Sequence, residues 1–271
     1  MIKTTKDAEQ EGVLENCIYN ANCLDLMKHI KSNNIDMVLT SPPYDNLRTY
    51  SGSLDWGEHI WKPAIQELFR VIKEGGVVVW VVGDATIKGN ETGTSFKQAL
   101  HFKDVGFNLH DTMIWHKTAI FPHHLNAQRY KQQFEYMFVF TKGSVKTYNP
   151  IHDIPNESAG KTFHIRKKIK TSDNGRYNGR TKNLKISDFR MRDNVWREGR
   201  AGYKGHPAPF PEKLAYDHIS SWSNEGDTIL DPFAGSGTVG KIAKQINRKY
   251  ILIEKESKYT DVISKRINEN Q

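Results

Sequence analysis

The most constraining feature of this sequence is a short apolar run that breaks into a glycine-bearing turn and resumes as a helical stretch. Thr228-Ile229-Leu230-Asp231 reads as a strand. Pro232-Phe233-Ala234-Gly235-Ser236-Gly237 is the turn, and residues 238–247 have helical character. Gly235 and Gly237 let the backbone turn tightly and approach a ligand closely. The helix start presents free N–H groups. Tyr250-Ile251-Leu252-Ile253-Glu254 reads as the next strand, and its terminal acid lies 23 residues after Asp231. A glycine-rich first turn followed by an acid for ribose hydroxyls is the logic of one mononucleotide half of a doubly wound sheet. The expected fold class is therefore α/β, with a mainly parallel sheet.

The chemistry of the turn narrows the ligand. A diphosphate wants cationic or N–H partners, but this turn opens with an anion, Asp231, and carries an aromatic, Phe233. That combination suits a cationic cofactor with an adenosine portion. S-adenosylmethionine, with a sulfonium and an ammonium group, answers the description.

Earlier in the chain, Ile35 to Thr40 is another apolar run, and it ends in Ser41-Pro42-Pro43-Tyr44. The run predicts a buried strand and the prolines a stiff loop. Neither proline has an N–H. Carbonyl acceptors, the Ser41 hydroxyl and the Tyr44 ring remain, which are parts suited to holding a flat base by its amino group. Chemistry on a base in a duplex also requires flipping it out of the stack. Catalysis would then be alignment for an in-line displacement, with no covalent enzyme intermediate.

Val77 to Val82 is continuously apolar and predicts a strand covered on both faces. Helices are predicted over 61–72, 95–105, 212–222 and 258–267, and strands over 111–116 and 134–141. Asp84, just past the 77–82 strand, lies where α/β sheets place ligands and is a weaker site candidate. So are Trp115-His116-Lys117, at the end of the 111–116 strand, and the polar run up to Arg129.

From about Lys142 to Lys204 the apolar periodicity weakens. Between Lys161 and Lys204 there are 14 Lys or Arg against 4 Asp or Glu, a surplus that exceeds the whole chain's formal +8. Its position between two α/β blocks argues against a solvated tail, and Phe163, Tyr177, Phe189 and Trp196 are interleaved with the charges. A polyanion partner fits this distribution.

Several classes are disfavoured. Cys17 and Cys23 form neither a metal spacing nor a disulfide framework, and neither follows a proline, so the Pro-Cys nucleophile of cytosine-C5 methylation is missing. No metal site is expected, and a zinc deaminase signature is absent. No run approaches the roughly 20 apolar residues that span a membrane. The N-terminus lacks the apolar core of a signal peptide, so a cytoplasmic location is expected.

Taken together, these motifs resemble the β-class amino-methyltransferases of bacterial restriction-modification systems. Leu39 to Tyr44 is similar to their catalytic motif and Asp231 to Thr238 to their cofactor motif. His206 to Glu212 is similar to the segment that covers the methionine end of the ligand, and Asn194-Val195-Trp196 is also family-like. Catalytic motif first, basic insert next and cofactor motif last is the circularly permuted β-class order. The resemblance implies a Rossmann-like methyltransferase fold using S-adenosylmethionine. Residues 1–141 would be its catalytic part, 142–204 a target-recognition insertion and 205–271 its cofactor-binding part. Asp231, Phe233, Ala234, Gly235, Ser236, Gly237 and Thr238 would line the cofactor, with Phe210 contacting it and Glu254 taking the ribose hydroxyls. Cys23-Leu24-Asp25 resembles an element near the adenine, which makes Asp25 a further candidate, although Ala21-Asn22 replaces the family's Gly-Asp. Ser41, Pro42, Pro43 and Tyr44 would act on the base. Lys167, Lys168, Arg176, Arg180, Arg190 and Arg192 would meet double-stranded DNA. A companion restriction endonuclease is among the implied partners, and monomer and homodimer both stay open. Thr40-Ser41 favours cytosine-N4 as target, because the family's adenine-N6 enzymes more often carry Asp or Asn before Pro-Pro-Tyr. Adenine-N6 is the alternative. A catalytically inert DNA-binding relative and an RNA or protein methyltransferase are further readings.

Overall fold

A computed structural model describes residues 1–43, 56–118, 128–166, 181–199 and 211–268 of the chain; the side chains of 164–166 and 181–182 lie outside that description. The chain divides into two compact units. The larger takes Met1–Asn149 and Asn194–Gln271, the smaller Pro150–Asp193.

The larger unit opens with β1 (Ile2–Thr4), α1 (Thr5–Glu11), β2 (Cys17–Asn20), α2 (Cys23–Met27) and β3 (Ile35–Thr40). It continues with α3 (Glu58–Val71), β4 (Ile72–Val82), the short strands β5 (Thr86–Ile87) and β6 (Asn90–Glu91), α4 (Thr94–Val105), β7 (Asn108–Lys117) and β8 (Phe134–Thr141). The smaller unit carries β9 (His152–Pro155), β10 (Thr162–Arg166), β11 (Thr181–Lys185) and β12 (Phe189–Met191). The chain then returns to the larger unit with β13 (Val195–Glu198), α5 (Glu212–Trp222), β14 (Thr228–Asp231), α6 (Thr238–Gln245), β15 (Lys249–Glu254) and α7 (Ser257–Asn268).

Among the described residues the main sheet has nine strands in the order β1-β2-β15-β14-β3-β4-β8-β7-β13. β8 alone runs antiparallel to its neighbours. This is the mainly parallel α/β sheet that the apolar runs predict. β14 and β3 are adjacent in the sheet, though about 190 residues separate them in sequence. That crossover brings the end of the Ile35–Thr40 run beside the end of the Thr228–Asp231 run.

β4 shows why its sequence is continuously apolar. Val78, Trp80 and Val82 pack with Trp61, Leu68 and Phe102 of α3 and α4 on one face. Val77, Val79 and Val81 are equally buried but point to the other face, where Met137 of β8 meets His218 of α5 at 3.2 Å. A strand buried on both faces has no polar positions to alternate with. Each such side chain contributes on the order of 1.5–3 kcal/mol relative to exposure.

Two parts of the sheet lie outside the sequence expectation. β1 and β2 extend it beyond β15, and β13 adds an edge strand parallel to β7. β13 falls inside the stretch 142–204, so the basic insert is shorter as a compact body than its composition suggests. Residues 142–149 and 194–199 belong to the larger unit. The smaller unit is two antiparallel pairs, β10 with β11 and β12 with β9. It leaves Phe163, Phe189 and Met191 exposed.

Candidate active site

The carboxyl ends of β3, β14 and β15 converge. Thr40, the last residue of β3, is fully buried, and its Oγ1 donates to Asp231 Oδ1 at 2.6 Å. Asp231 ends β14 and also accepts from the backbone N–H of Phe233 on Oδ1, at 3.1 Å. Its Oδ2 takes no bond from the described residues. Glu254 ends β15; Oε2 accepts from Gly235 N at 2.8 Å and Oε1 from Glu256 N at 2.9 Å.

These two carboxyls are electrostatically unusual. Burial pushes Asp231 up to about 7, with the charge of Glu254 adding to the rise and the bonds from Thr40 and Phe233 opposing it. Burial likewise pushes Glu254 up to about 7, against the backbone N–H groups of Glu256 and Gly235. Two desolvated carboxyls flanking one turn are costly unless something compensates them. A cation with hydroxyl donors does so, and a diphosphate does not. The carboxyls therefore fit a cationic, ribose-bearing ligand.

The turn between them is built by its glycines. Gly235 has φ +52° and Gly237 φ +76°, both in the left-handed region. A Cβ on Gly237 would lie 2.6 Å from Ile263 Cγ2 of α7. Gly240 completes a Gly-x-Gly-x-x-Gly spacing with them, and a Cβ there would run into Leu252, so α6 rests directly on β15. The glycine spacing alone thus admits a dinucleotide, and it is the carboxyls that speak against one. Ala234, Ser236 and Thr238 are buried, and Phe233 is half-buried. Phe233 meets Trp56 and Trp80 edge-on, at 5.5 and 6.2 Å between ring centroids. Trp56 is a neighbour of the turn that nothing local in the sequence signals.

Pro42 is buried, and Ser41 and Pro43 are half-buried, directly after Thr40. Tyr44 lies outside the described residues, as does Phe210. Asp25 is exposed in the first turn of α2 and makes a 3.4 Å ion pair with Lys28. Asn22 caps that helix, accepting from Leu24 N at 2.8 Å, and Ala21 N donates to Glu254 O at 3.1 Å. The β2–α2 turn therefore adjoins Glu254.

Other candidates have structural partners. Asp84 accepts from the backbone N–H and the hydroxyl of Ser95, in the first turn of α4. Trp115 Nε1 donates to Glu198 O at 3.2 Å, and Lys117 pairs with Glu135. Arg129 donates to Gly89 O at 2.8 Å and to Thr86 Oγ1 at 3.0 Å, holding the β5–β6 hairpin. In the smaller unit, Arg190 pairs with Asp193 at 2.8 Å and Arg192 with Asp153. Lys167, Lys168, Arg176 and Arg180 lie outside the described residues. Cys17 and Cys23 are free and buried, and burial pushes the Cys23 thiol up to about 12, far from a nucleophile's range. Among the described residues no His, Cys, Asp and Glu group could hold a metal ion, and no helix is long and apolar enough to cross a membrane.

Residues 35–265 match the DNA methylase family that groups N6 and N4 enzymes. The chain is 50% identical over 243 residues to the orphan methyltransferase M.BamHII of Bacillus amyloliquefaciens, covering 86% of this chain and 88% of that protein. It is 28% identical over 260 residues to the Type II methyltransferase M.BglII of Bacillus subtilis, covering 91% and 67%. Among solved structures, the PvuII DNA methyltransferase, named as cytosine-N4-specific, superposes with a TM-score of 0.69 at 22% identity, over 94% of this chain and 86% of that one. The M1.HpyAVI–SAM complex superposes with a TM-score of 0.60 at 22% identity, over 98% and 100%. Both structural likenesses concern the fold.

Proposed function

The chain belongs to the N6/N4 DNA methylase family, and on that premise we propose that it uses S-adenosylmethionine to methylate the exocyclic N4 amino group of cytosine in a flipped-out base of duplex DNA. The observation that carries this reading is the 2.6 Å bond from Thr40 to Asp231. It ties the strand leading into Ser41-Pro42-Pro43-Tyr44 to the strand leading into the glycine turn. The two motifs, about 190 residues apart, are one site.

S-adenosylmethionine, when bound, supplies a sulfonium methyl group that an amine nitrogen can take by in-line displacement. The residues of the chain supply position. Asp231 offers a desolvated carboxyl to the cationic end of the ligand, and Glu254 offers one to its ribose hydroxyls. Thr40 is committed to Asp231, so acceptors for the base amine begin at position 41. Pro42 and Pro43 lack N–H groups, so at those two positions the backbone offers carbonyl oxygens and no donor. Those acceptors hold the amine's hydrogens and aim its lone pair, and Tyr44 stacks on the base. Tyr44, Phe210 and Asp25 keep the roles the family resemblance implies. The smaller unit and its basic surroundings are the DNA-reading part, with Lys167, Lys168, Arg176, Arg180, Arg190 and Arg192 as phosphate contacts. The Thr-Ser pair before Pro-Pro supports cytosine-N4, and adenine-N6 is the second reading.

Transfer of labelled methyl groups tests the reaction class. Label in duplex DNA supports the proposal. Tight DNA binding with no incorporation into any duplex supports the inert relative, and label confined to RNA or protein supports the third reading.

A further inference from the structure

Arg266 lies in the last turn of α7 and is 3% exposed. Arginine is rarely buried to that degree unless its charge and donors are matched. Here they are matched by the cofactor turn. Nη1 donates to Ser236 Oγ at 2.8 Å, to Ser236 O at 3.1 Å and to Thr238 Oγ1 at 3.1 Å. Nη2 donates to Glu212 Oε1 at 2.7 Å. Glu212 is the first residue of α5, and its two oxygens also accept from Lys241 Nζ of α6 at 2.9 and 3.1 Å.

The turn is therefore held by two separate sets of partners. Asp231 and Glu254, the carboxyls assigned to the ligand, hold Phe233 N and Gly235 N. Arg266 holds Ser236 and Thr238. Between these anchors the backbone passes twice through the left-handed region, at Gly235 and Gly237. Glycine enters that region without steric cost, so the shape of the turn is set by the partners that hold it rather than by the backbone itself. Ser236 and Thr238 are themselves buried, so without the guanidinium their oxygens would lose a charge-assisted donor in a dry environment.

We propose that Arg266 is a positioning residue for the methyl donor: through Ser236 and Thr238 it holds the glycine turn in the shape that receives S-adenosylmethionine, while Glu212 and Lys241 fix the far end of its fork. This rests on the turn being the cofactor site, so the test must separate the two claims.

The experiment measures S-adenosylmethionine binding by calorimetry and steady-state kinetics on the full chain, for R266M, R266K, E212Q and D231N. R266M is expected to raise Kd and KM for S-adenosylmethionine about tenfold or more. Its kcat at saturating cofactor and its KM for DNA should stay within about threefold, because the guanidinium's bonds to Ser236, Thr238 and Glu212 bear on the glycine turn rather than on Ser41-Pro42-Pro43. R266K is expected to recover part of the affinity, since an ammonium can serve the turn or Glu212 but cannot reproduce the planar fork. E212Q should give a smaller rise than R266M, because the contacts to the turn survive. A lower Tm for R266M with unchanged cofactor Kd would make Arg266 a scaffold residue only and overturn the proposal. If R266M does not fold, R266K decides, and wild-type Kd in folded R266K overturns it equally. D231N separates the premise. If D231N also binds cofactor normally, the turn is not the cofactor site; if D231N alone is impaired, the site stands and the role of Arg266 falls.

Discussion

Affinity for S-adenosylmethionine should rise steeply with pH across the neutral range, because the two carboxyls proposed to receive it are pushed up to about 7. In the ligand-free protein both are largely protonated at pH 5.5. A cation prefers the ionised form of Asp231, and hydroxyl donors prefer the ionised form of Glu254, so binding must expel protons. For one group with a free pKa near 7 and a bound pKa well below 5.5, apparent affinity rises roughly 25-fold between pH 5.5 and 7.5. Two groups acting independently would give roughly several hundredfold, so the observed slope reports how many carboxyls take part. Above about pH 7.5 the cofactor's own amino group, which titrates at about 8, would begin to lose its charge. The sign for stability is opposite in the free protein. Folded pKa values raised above the unfolded ones mean a contribution present below about pH 4 that is lost as pH rises through about 7. Bound cofactor restores it, so the Tm gain on adding cofactor should be larger at pH 7.5 than at 5.5. Calorimetric titration at four pH values, with D231N and E254Q alongside, checks both statements. Each variant should remove about one proton's share of the slope. A flat wild-type profile, or variants as steep as wild type, would refute the reasoning.

Further expectations concern single contacts. Thr40→Val removes the hydroxyl that supports ionised Asp231, so the midpoint of the pH-dependent binding should move above that of wild type, at a cost of about 1–3 kcal/mol in stability; an unmoved midpoint would detach Thr40 from the cofactor site. Pro42→Ala or Tyr44→Ala should lower kcat far more than cofactor affinity, and equal losses of both would contradict their assignment to the base. Gly237→Ala combines a left-handed φ with a methyl 2.6 Å from Ile263, and should cost roughly 2–4 kcal/mol in urea unfolding. Arg190→Ala with Arg192→Ala should lower the salt slope of DNA binding by about 2 if both reach phosphates; an unchanged slope leaves them only as partners of Asp193 and Asp153.

The sheet's centre was legible because its strands are buried on both faces and so appear as unbroken apolar runs, as in Val77–Val82 and Ile35–Thr40. β13 was not, because Val195-Trp196-Arg197-Glu198 is short and places charge beside an exposed valine, as an edge strand does. β1, at the sheet edge, and β2, beside it, have three and four residues, too short for periodicity to register. The glycine turn proposed for the cofactor was legible as a turn because glycines and strand-end acids can be read from residue type. Its supports were not. Arg266, Glu212 and Lys241 come from three helices, and Trp56 meets Phe233 across more than 170 residues, so only the folded chain reveals them. Asp84, an acid at the edge of the sheet where ligands sit, has a partner that only the folded chain reveals: Ser95 in the first turn of α4.

The decisive chemical fact is which atom receives the methyl group. Incubating the protein with genomic DNA and S-adenosylmethionine, then digesting to nucleosides for mass spectrometry, reports this directly. N4-methylcytosine is expected, absent from the D231N control. N6-methyladenine alone would overturn the cytosine assignment while leaving the shared site intact, and no methylated nucleoside from any duplex would overturn the assignment of DNA methylation to this chain.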